Sequence, residues 1–151
     1  MEAKDLKNIV IKETKVDTVL TKSNLPSSDY VINPYVGCTH GCKYCYASFM
    51  KRFTGHDEKW GEFIDIKSCN KKIDLKKISG KNVFLSSVTD CYNELEEKYC
   101  ITRNILEQLQ YSDCNLSIST KSKLILRDID ILKKIKNLTV SLSINTLDEK
   151  F

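Results

Sequence analysis

Three cysteines stand close together as Cys38, Cys42 and Cys45, in the run NPYVGCTHGCKYCYA. Thiolates are the usual protein ligands of iron–sulfur clusters, and the spacing C-x3-C-x2-C lets one short loop curl around a single cube of iron and sulfide. Three thiolates hold three of the four irons of a [4Fe-4S] cluster. The fourth iron is then open to an outside molecule, and that opening separates a cluster that does chemistry from one that only carries electrons. The spacing is not the usual zinc arrangement, which favours two ligand pairs and four closed positions; a zinc-binding module is the lesser, competing reading. Ferredoxin-type runs add a fourth cysteine, and none follows within the next twenty residues. The remaining Cys69, Cys91, Cys100 and Cys114 match no cluster spacing and read as small core residues.

The chain that must position this loop has 151 residues, 41% of them hydrophobic and 29% charged, with a net charge of +4. That is one globular domain with a real core, not a disordered or fibrous chain. The mild positive charge permits an anionic ligand without demanding one. No apolar run approaches a membrane span, and MEAKDLKNIV has no signal-peptide core. The expected location is therefore the cytoplasm, where thiols stay reduced and seven cysteines favour metal ligation over disulfides.

Residues 1–29 read as a polar lead-in with one or two short strands around Ile9–Ile11 and Val16–Leu20, followed by turn residues Asn24, Pro26, Ser27 and Ser28. Tyr30–Val36 reads as one strand running into the cysteine loop, and a helix is expected from about Cys45 to Phe53. Phe63–Lys67 is a further candidate strand, and Ile73, Leu75 and Ile78 fit a short helix. The second half alternates. Val83–Val88, Leu116–Thr120 and Leu138–Ile144 are strands. Glu94–Gln110 is expected as one helix, with Ile101, Ile105, Leu106 and Leu109 on one face and ion pairs Glu94–Lys98 and Arg103–Glu107 on the other. Leu126–Lys136 is expected as another, with Ile129, Leu132 and Ile135 turned inward. Leu147–Phe151 reads as the opening of a further helix.

Strand–helix alternation implies parallel pairing through right-handed crossovers. In such folds the functional groups collect at the carboxyl ends of the strands. Here those ends carry the cysteine loop, then Ser87, Thr89 and Asp90, then Thr120 and Lys121, then Ser143 and Asn145. His40, inside the loop, is either a solvated histidine or a hydrogen-bonding neighbour of the cluster. His56 reads as a surface residue, and Trp60 and Phe63 as packing. Lys71, Lys72, Lys76, Lys77 and Lys81 are a solvated charge run or contacts to the phosphates of a nucleic-acid partner.

At the cysteines the chain resembles the radical S-adenosylmethionine superfamily, whose signature CxxxCxφC, with an aromatic at φ, is matched by Cys38, Cys42, Tyr44 and Cys45. The segments SSVTDCYNELEEKY, STKSKLILRDIDIL and VSLSINTLDE extend the resemblance, over roughly residues 30–150, to the branch that contains spore photoproduct lyase. The resemblance implies an α/β fold, a partial TIM-like (β/α) barrel over residues 30–151. The full barrel of the family has about six strand–helix units, and this chain offers about four strands. It implies two cofactors, a [4Fe-4S] cluster on the three cysteines and S-adenosylmethionine at the open iron, with a reductant such as flavodoxin or ferredoxin. It implies reductive cleavage of S-adenosylmethionine to a 5′-deoxyadenosyl radical that takes a hydrogen atom from substrate. Tyr44 would lie near the adenine, Thr89 at the methionine end, Lys121 against the carboxylate and Ser143 on the same rim, with Asp90 a further contact to the amino group or ribose. Where relatives tend to carry proline after the Thr-Asp pair this chain has Cys91, a thiol placed to return a hydrogen atom to a product radical. A half-barrel exposes sheet edges, so the alternative is a catalytically incomplete cluster-binding fragment that dimerises or needs a complementing chain.

Overall fold

The computed structural model describes residues 8–145 and Leu147. Its strands are β1 (Val10–Lys15), β2 (Leu20–Lys22), β3 (Tyr30–Ile32), β4 (Tyr35–Gly37), β5 (Phe63–Ser68), β6 (Asn82–Leu85), β7 (Asn115–Thr120) and β8 (Asn137–Leu142). Its α-helices are α1 (Leu75–Ile78), α2 (Glu96–Tyr99), α3 (Ile101–Leu109) and α4 (Ile129–Leu132). Tight 3-10 turns cover Tyr46–Phe53 and Lys123–Asp128. A five-stranded sheet runs β2-β3-β6-β7-β8, parallel from β3 onward, and a three-stranded sheet runs β1-β5-β4. The fold is therefore mixed α/β with parallel strands, as the alternation implied. β1 takes up the strand expected around Ile9–Ile11, whereas the second strand expected over Val16–Leu20 forms only from Leu20 onward, as β2; both are paired into sheets.

The parallel sheet has two faces with different duties. Registered pairs Val83–Leu116 and Leu85–Ile118 put four apolar side chains on one face, and α3 and the turn at α4 cover them with Ile105, Leu106, Leu109, Ile131, Leu132 and Ile135. Each fully buried Leu or Ile stabilises by roughly 2 kcal/mol. The alternation of side chains along a strand sends Phe84 and Ser119 to the opposite face, where they line a cleft.

The helix expected over Cys45–Phe53 is a 3-10 turn, the strand expected over Val83–Val88 ends at Leu85, and three further expectations change. Tyr30–Val36 is two strands in two sheets. β3 pairs with β6 while β4 crosses over to pair antiparallel with β5. Pro34 has no N–H to give a continuous ladder, and Asn33 holds the break: its amide donates to Ser87 Oγ at 3.1 Å and its carbonyl accepts from Val88 N at 3.2 Å. Second, Glu94–Gln110 is not one helix, because Cys100 takes a left-handed conformation (φ 52°, ψ 30°) between α2 and α3. Glu96, fully buried, turns back to accept from the N–H groups of Thr102 (2.9 Å) and Arg103 (3.2 Å). It thereby caps α3, whose first N–H groups have no partner within the helix, and it also accepts from Tyr35 and Arg127. Glu94 is drawn away from Lys98 to accept from Thr39 Oγ1, whereas Arg103–Glu107 forms at 3.6 Å. Third, Leu126–Lys136 is a 3-10 turn followed by a single turn of α4, so Ile125 and Ile131 are buried and Ile129 is 38% exposed. The helix expected from Leu147 lies, beyond Leu147 itself, outside the described residues.

Asp128 anchors this corner. It is buried and accepts a bidentate pair of hydrogen bonds from Arg127, both at 2.8 Å, and one from Arg103 at 2.9 Å. Burial alone would raise its carboxyl, but the bonds from Arg127 and Arg103 outweigh burial and hold it below the usual aspartate range. A depressed carboxylate stabilises the fold fully above its unfolded value, near 3.9, and that stability is lost as pH falls toward the folded value. The wild-type melting temperature should thus fall more steeply between pH 5 and pH 3 than that of Asp128→Asn. Parallel melting curves against pH would show that Asp128 carries no such linkage.

Candidate functional site

The cysteine loop begins where β4 ends. Gly37 closes the strand at φ +85°, and a Cβ there would stand 2.5 Å from the Phe63 carbonyl oxygen. The loop is folded on itself by the bonds from Gly41 N to Cys38 O (3.3 Å) and from Cys45 N to Cys42 O (3.1 Å). Thr89 Oγ1 donates to Gly37 O at 2.6 Å, which ties the loop to the segment after β6. Cys38 is buried, and burial pushes its thiol up to about 12. The main-chain N–H groups of His40 and Asp90 donate to its sulfur and work in the opposite direction, as they would for a thiolate. Lys121 Nζ stands 2.9 Å from Cys42 Sγ, a cation beside a ligand that must be anionic to bind metal.

One cleft of about 420 Å³ lies over the carboxyl ends of β6, β7 and β8. Cys38, Cys42, Cys45, Tyr44, Thr89, Asp90, Lys121 and Ser143 all line it, so residues spread from position 38 to 143 share one wall. Tyr44, 70% exposed, joins the loop to the end of the sheet: its hydroxyl donates to Asn145 Oδ1 at 2.9 Å and accepts from Lys121 Nζ at 3.1 Å. Ser143 is exposed on the rim, its N–H bonded to Thr120 O at 2.9 Å. Asp90 is buried with both oxygens in use. Oδ1 accepts from Tyr92 N (2.9 Å) and Thr120 Oγ1 (2.7 Å), and Oδ2 meets Lys121 N (3.1 Å) and His40 Nε2 (3.1 Å). Burial would raise its carboxyl, and the bonds from His40, Thr120 and the Lys121 N–H hold it below the usual range.

The donor set suits a cluster. Three sulfurs from one loop face one cleft beside a lysine and main-chain N–H donors. Among the described residues no three His, Cys, Asp or Glu side chains converge on a single-ion position, whereas a cube takes one thiolate per iron. Cys91 is elsewhere: it is fully buried in the apolar core and is not among the residues that line the cleft, where the resemblance places a thiol. His56 is not a surface residue. It is buried between Glu58 (2.9 Å) and Asp65 (2.8 Å) and stacks on Phe63 at 4.0 Å. The lysines from Lys71 to Lys81 lead into the start of β6, at the end of the sheet opposite the cleft.

Sequence reasoning passed over Ser86. It lines the cleft at φ +70°, a conformation uncommon for residues with a Cβ and concentrated at functional sites. Serine carries no local signal for that geometry. No helix among the described residues is long and apolar enough to cross a membrane.

Comparison with known proteins bears on the same region. The family model of the radical SAM superfamily matches residues 32–151. The chain is 40% identical over 141 residues to an uncharacterised protein of Methanocaldococcus jannaschii, covering 93% of this chain and 53% of the relative. It is 34% identical over 137 residues to an uncharacterised protein of Acidianus two-tailed virus, covering 83% and 45%. The chain thus spans about half the length of these relatives. Among solved structures it resembles a mutant spore photoproduct lyase with bound AdoMet and dinucleoside spore photoproduct, with a TM-score of 0.63 at 16% identity, over 91% of this chain and 40% of that one. That likeness is one of fold.

Proposed function

The chain belongs to the radical SAM superfamily, and on that premise we propose that Cys38, Cys42 and Cys45 hold a [4Fe-4S] cluster and that the adjoining cleft receives S-adenosylmethionine. The observation that carries this reading is the cleft shared by the three cysteines and Lys121, with the Lys121 ammonium beside the Cys42 sulfur. When bound, the cluster and S-adenosylmethionine supply an electron-driven cleavage to methionine and a 5′-deoxyadenosyl radical, which removes a hydrogen atom from substrate.

The protein's own residues prepare that chemistry. Lys121 offers a positive charge to the cofactor's carboxylate, a charge-assisted pairing stronger than a neutral hydrogen bond. Thr89 fixes the loop through Gly37 while presenting its oxygen to the cleft, and Ser143 adds a hydroxyl on the rim. Tyr44 brackets the open side near the adenine. Asp90, saturated within the chain, acts on the cofactor through the groups it orients, namely His40, Thr120 and the Lys121 main chain.

Electron paramagnetic resonance on anaerobically reconstituted, dithionite-reduced protein tests the reading. A reduced-cluster signal that changes on adding S-adenosylmethionine is expected. A colourless protein holding one zinc would sink it. Lys121→Met should retain the cluster and weaken cofactor binding by roughly 10- to 100-fold, the worth of a hydrogen bond to a charged group; unchanged affinity would remove Lys121 from the site.

A second reading rests on the last strand. Val140, Leu142 and Ile144 are 37, 57 and 71% exposed along β8 and just after it, on the strand at the edge of the sheet. An apolar edge of this kind invites a further strand, supplied by additional polypeptide or a partner chain. On this reading cluster assembly proceeds while cofactor cleavage waits for that completion.

A further inference from the structure

His40 has one ring nitrogen engaged and one not. Its side chain is only 5% exposed, and Nε2 lies 3.1 Å from Asp90 Oδ2. The other partners of that carboxylate are the N–H groups of Tyr92 and Lys121 and the Thr120 hydroxyl. A carboxylate takes such groups as an acceptor, so Nε2 is the ring nitrogen that carries the proton. In the neutral ring Nδ1 then offers a lone pair. Nδ1 is buried and has no hydrogen-bond partner, although buried polar atoms nearly always find one. His40 lines the same cleft as the three cysteines.

We infer that His40 is a positioning residue for the cofactor: Asp90 locks its ring, and Nδ1 accepts a hydrogen bond from a donor on S-adenosylmethionine, its amino group or a ribose hydroxyl. The inference rests on the proposed radical SAM function and adds a contact to it. Sulfides and thiolates offer only acceptors, so of the two groups proposed for the cleft it is the organic cofactor that carries donors for Nδ1. Lys121, the one lysine or arginine among the described residues that line the cleft, directs its ammonium to Cys42 and Tyr44.

Two side chains separate this role from a purely structural one. Glutamine places an amide N–H near the position of Nε2 and keeps the bond to Asp90 without the Nδ1 acceptor. Asparagine places its carbonyl oxygen near Nδ1 and gives up Asp90. Cluster-loaded wild type, His40→Gln and His40→Asn are compared by iron content, visible absorbance and S-adenosylmethionine affinity from anaerobic equilibrium dialysis. The expected result is a full cluster in all three, affinity about tenfold weaker in His40→Gln, as for one lost hydrogen bond, and affinity within about threefold of wild type in His40→Asn. Wild-type affinity in His40→Gln overturns the inference, since Nδ1 would then have no role. Loss of the cluster in both variants also overturns it, in favour of a ring that only shapes the loop. If wild type itself binds a cluster but no S-adenosylmethionine, the functional reading fails first, and the wild-type arm reports that separately.

Discussion

Cys38→Ala, Cys42→Ala and Cys45→Ala should each lose the brown chromophore and drop from about four irons per chain to well below one, with 5′-deoxyadenosine formation at background. Each single loss suffices because each of the three sulfurs has its own position in the loop. Cys38 accepts from the N–H groups of His40 and Asp90, Cys42 is fixed by the turn in which its carbonyl accepts from Cys45 N–H, and Cys45 follows directly at the end of that turn. No other cysteine stands ready to substitute. Cys91 and Cys114 are buried in the core, and Cys69 lies with its sulfur 3.5 Å from Asp17 O and Lys71 O, away from the cleft. Cys69→Ala is therefore the control and should keep its iron. A cluster retained in any of the three loop variants would mean the ligands have been misassigned.

Gly37→Ala should destabilise the chain by about 3 kcal/mol or more, since it combines left-handed backbone strain with steric overlap. The added methyl would meet the Phe63 carbonyl oxygen at 2.5 Å and the Phe63 ring at 3.0 Å. Neither can move freely: Phe63 is fully buried and its strand, β5, sits between β1 and β4. On a chain of this size that cost lowers the melting temperature by on the order of 10 °C. Gly55→Ala provides the comparison. Gly55 also has positive φ, at +68°, but nothing lies within 4 Å of a Cβ there, so only the conformational cost of about 1 kcal/mol remains. Thermal melts of the cluster-free variants read both effects. Equal melting temperatures for the two would show that β4 and β5 yield to the methyl, and that Gly37 does not set the loop's entry.

Membership of the radical SAM superfamily was legible because the determinants of its cysteine motif are local. Cys38, Cys42, Cys45 and the glycines around them lie within one loop, and the spacing alone restricts what the thiols can bind. The parallel strands were legible for a similar reason: β7 alternates buried Leu116, Ile118 and Thr120 with more exposed neighbours, and that period is written in adjacent residues. Positions of polar groups at strand ends followed from the topology, which is why residues as distant as Thr89, Lys121 and Ser143 could be named together.

What the tertiary structure decided depends on partners far away in sequence. The helical pattern of Glu94–Gln110 is sound locally, yet Tyr35 and Arg127 draw the Glu96 carboxylate inward, where it caps α3, and the backbone turns left-handed at Cys100. Tyr30–Val36 reads as one strand until β5 and β6 offer separate edges to its two halves. Asp90 looks like a free carboxylate at a strand end, and only folding delivers the four groups that fill its oxygens. His40 shows the same dependence: it lies between Cys38 and Cys42 of the motif, but the carboxylate that fixes its ring comes from the loop after β6. Sequence by itself determined the cysteine motif that marks the family and the alternation that makes the strands parallel, because short-range spacing and periodicity encode them. The tertiary fold decided which polar groups remain available in the cleft, because hydrogen-bond satisfaction is settled between segments that only folding brings together.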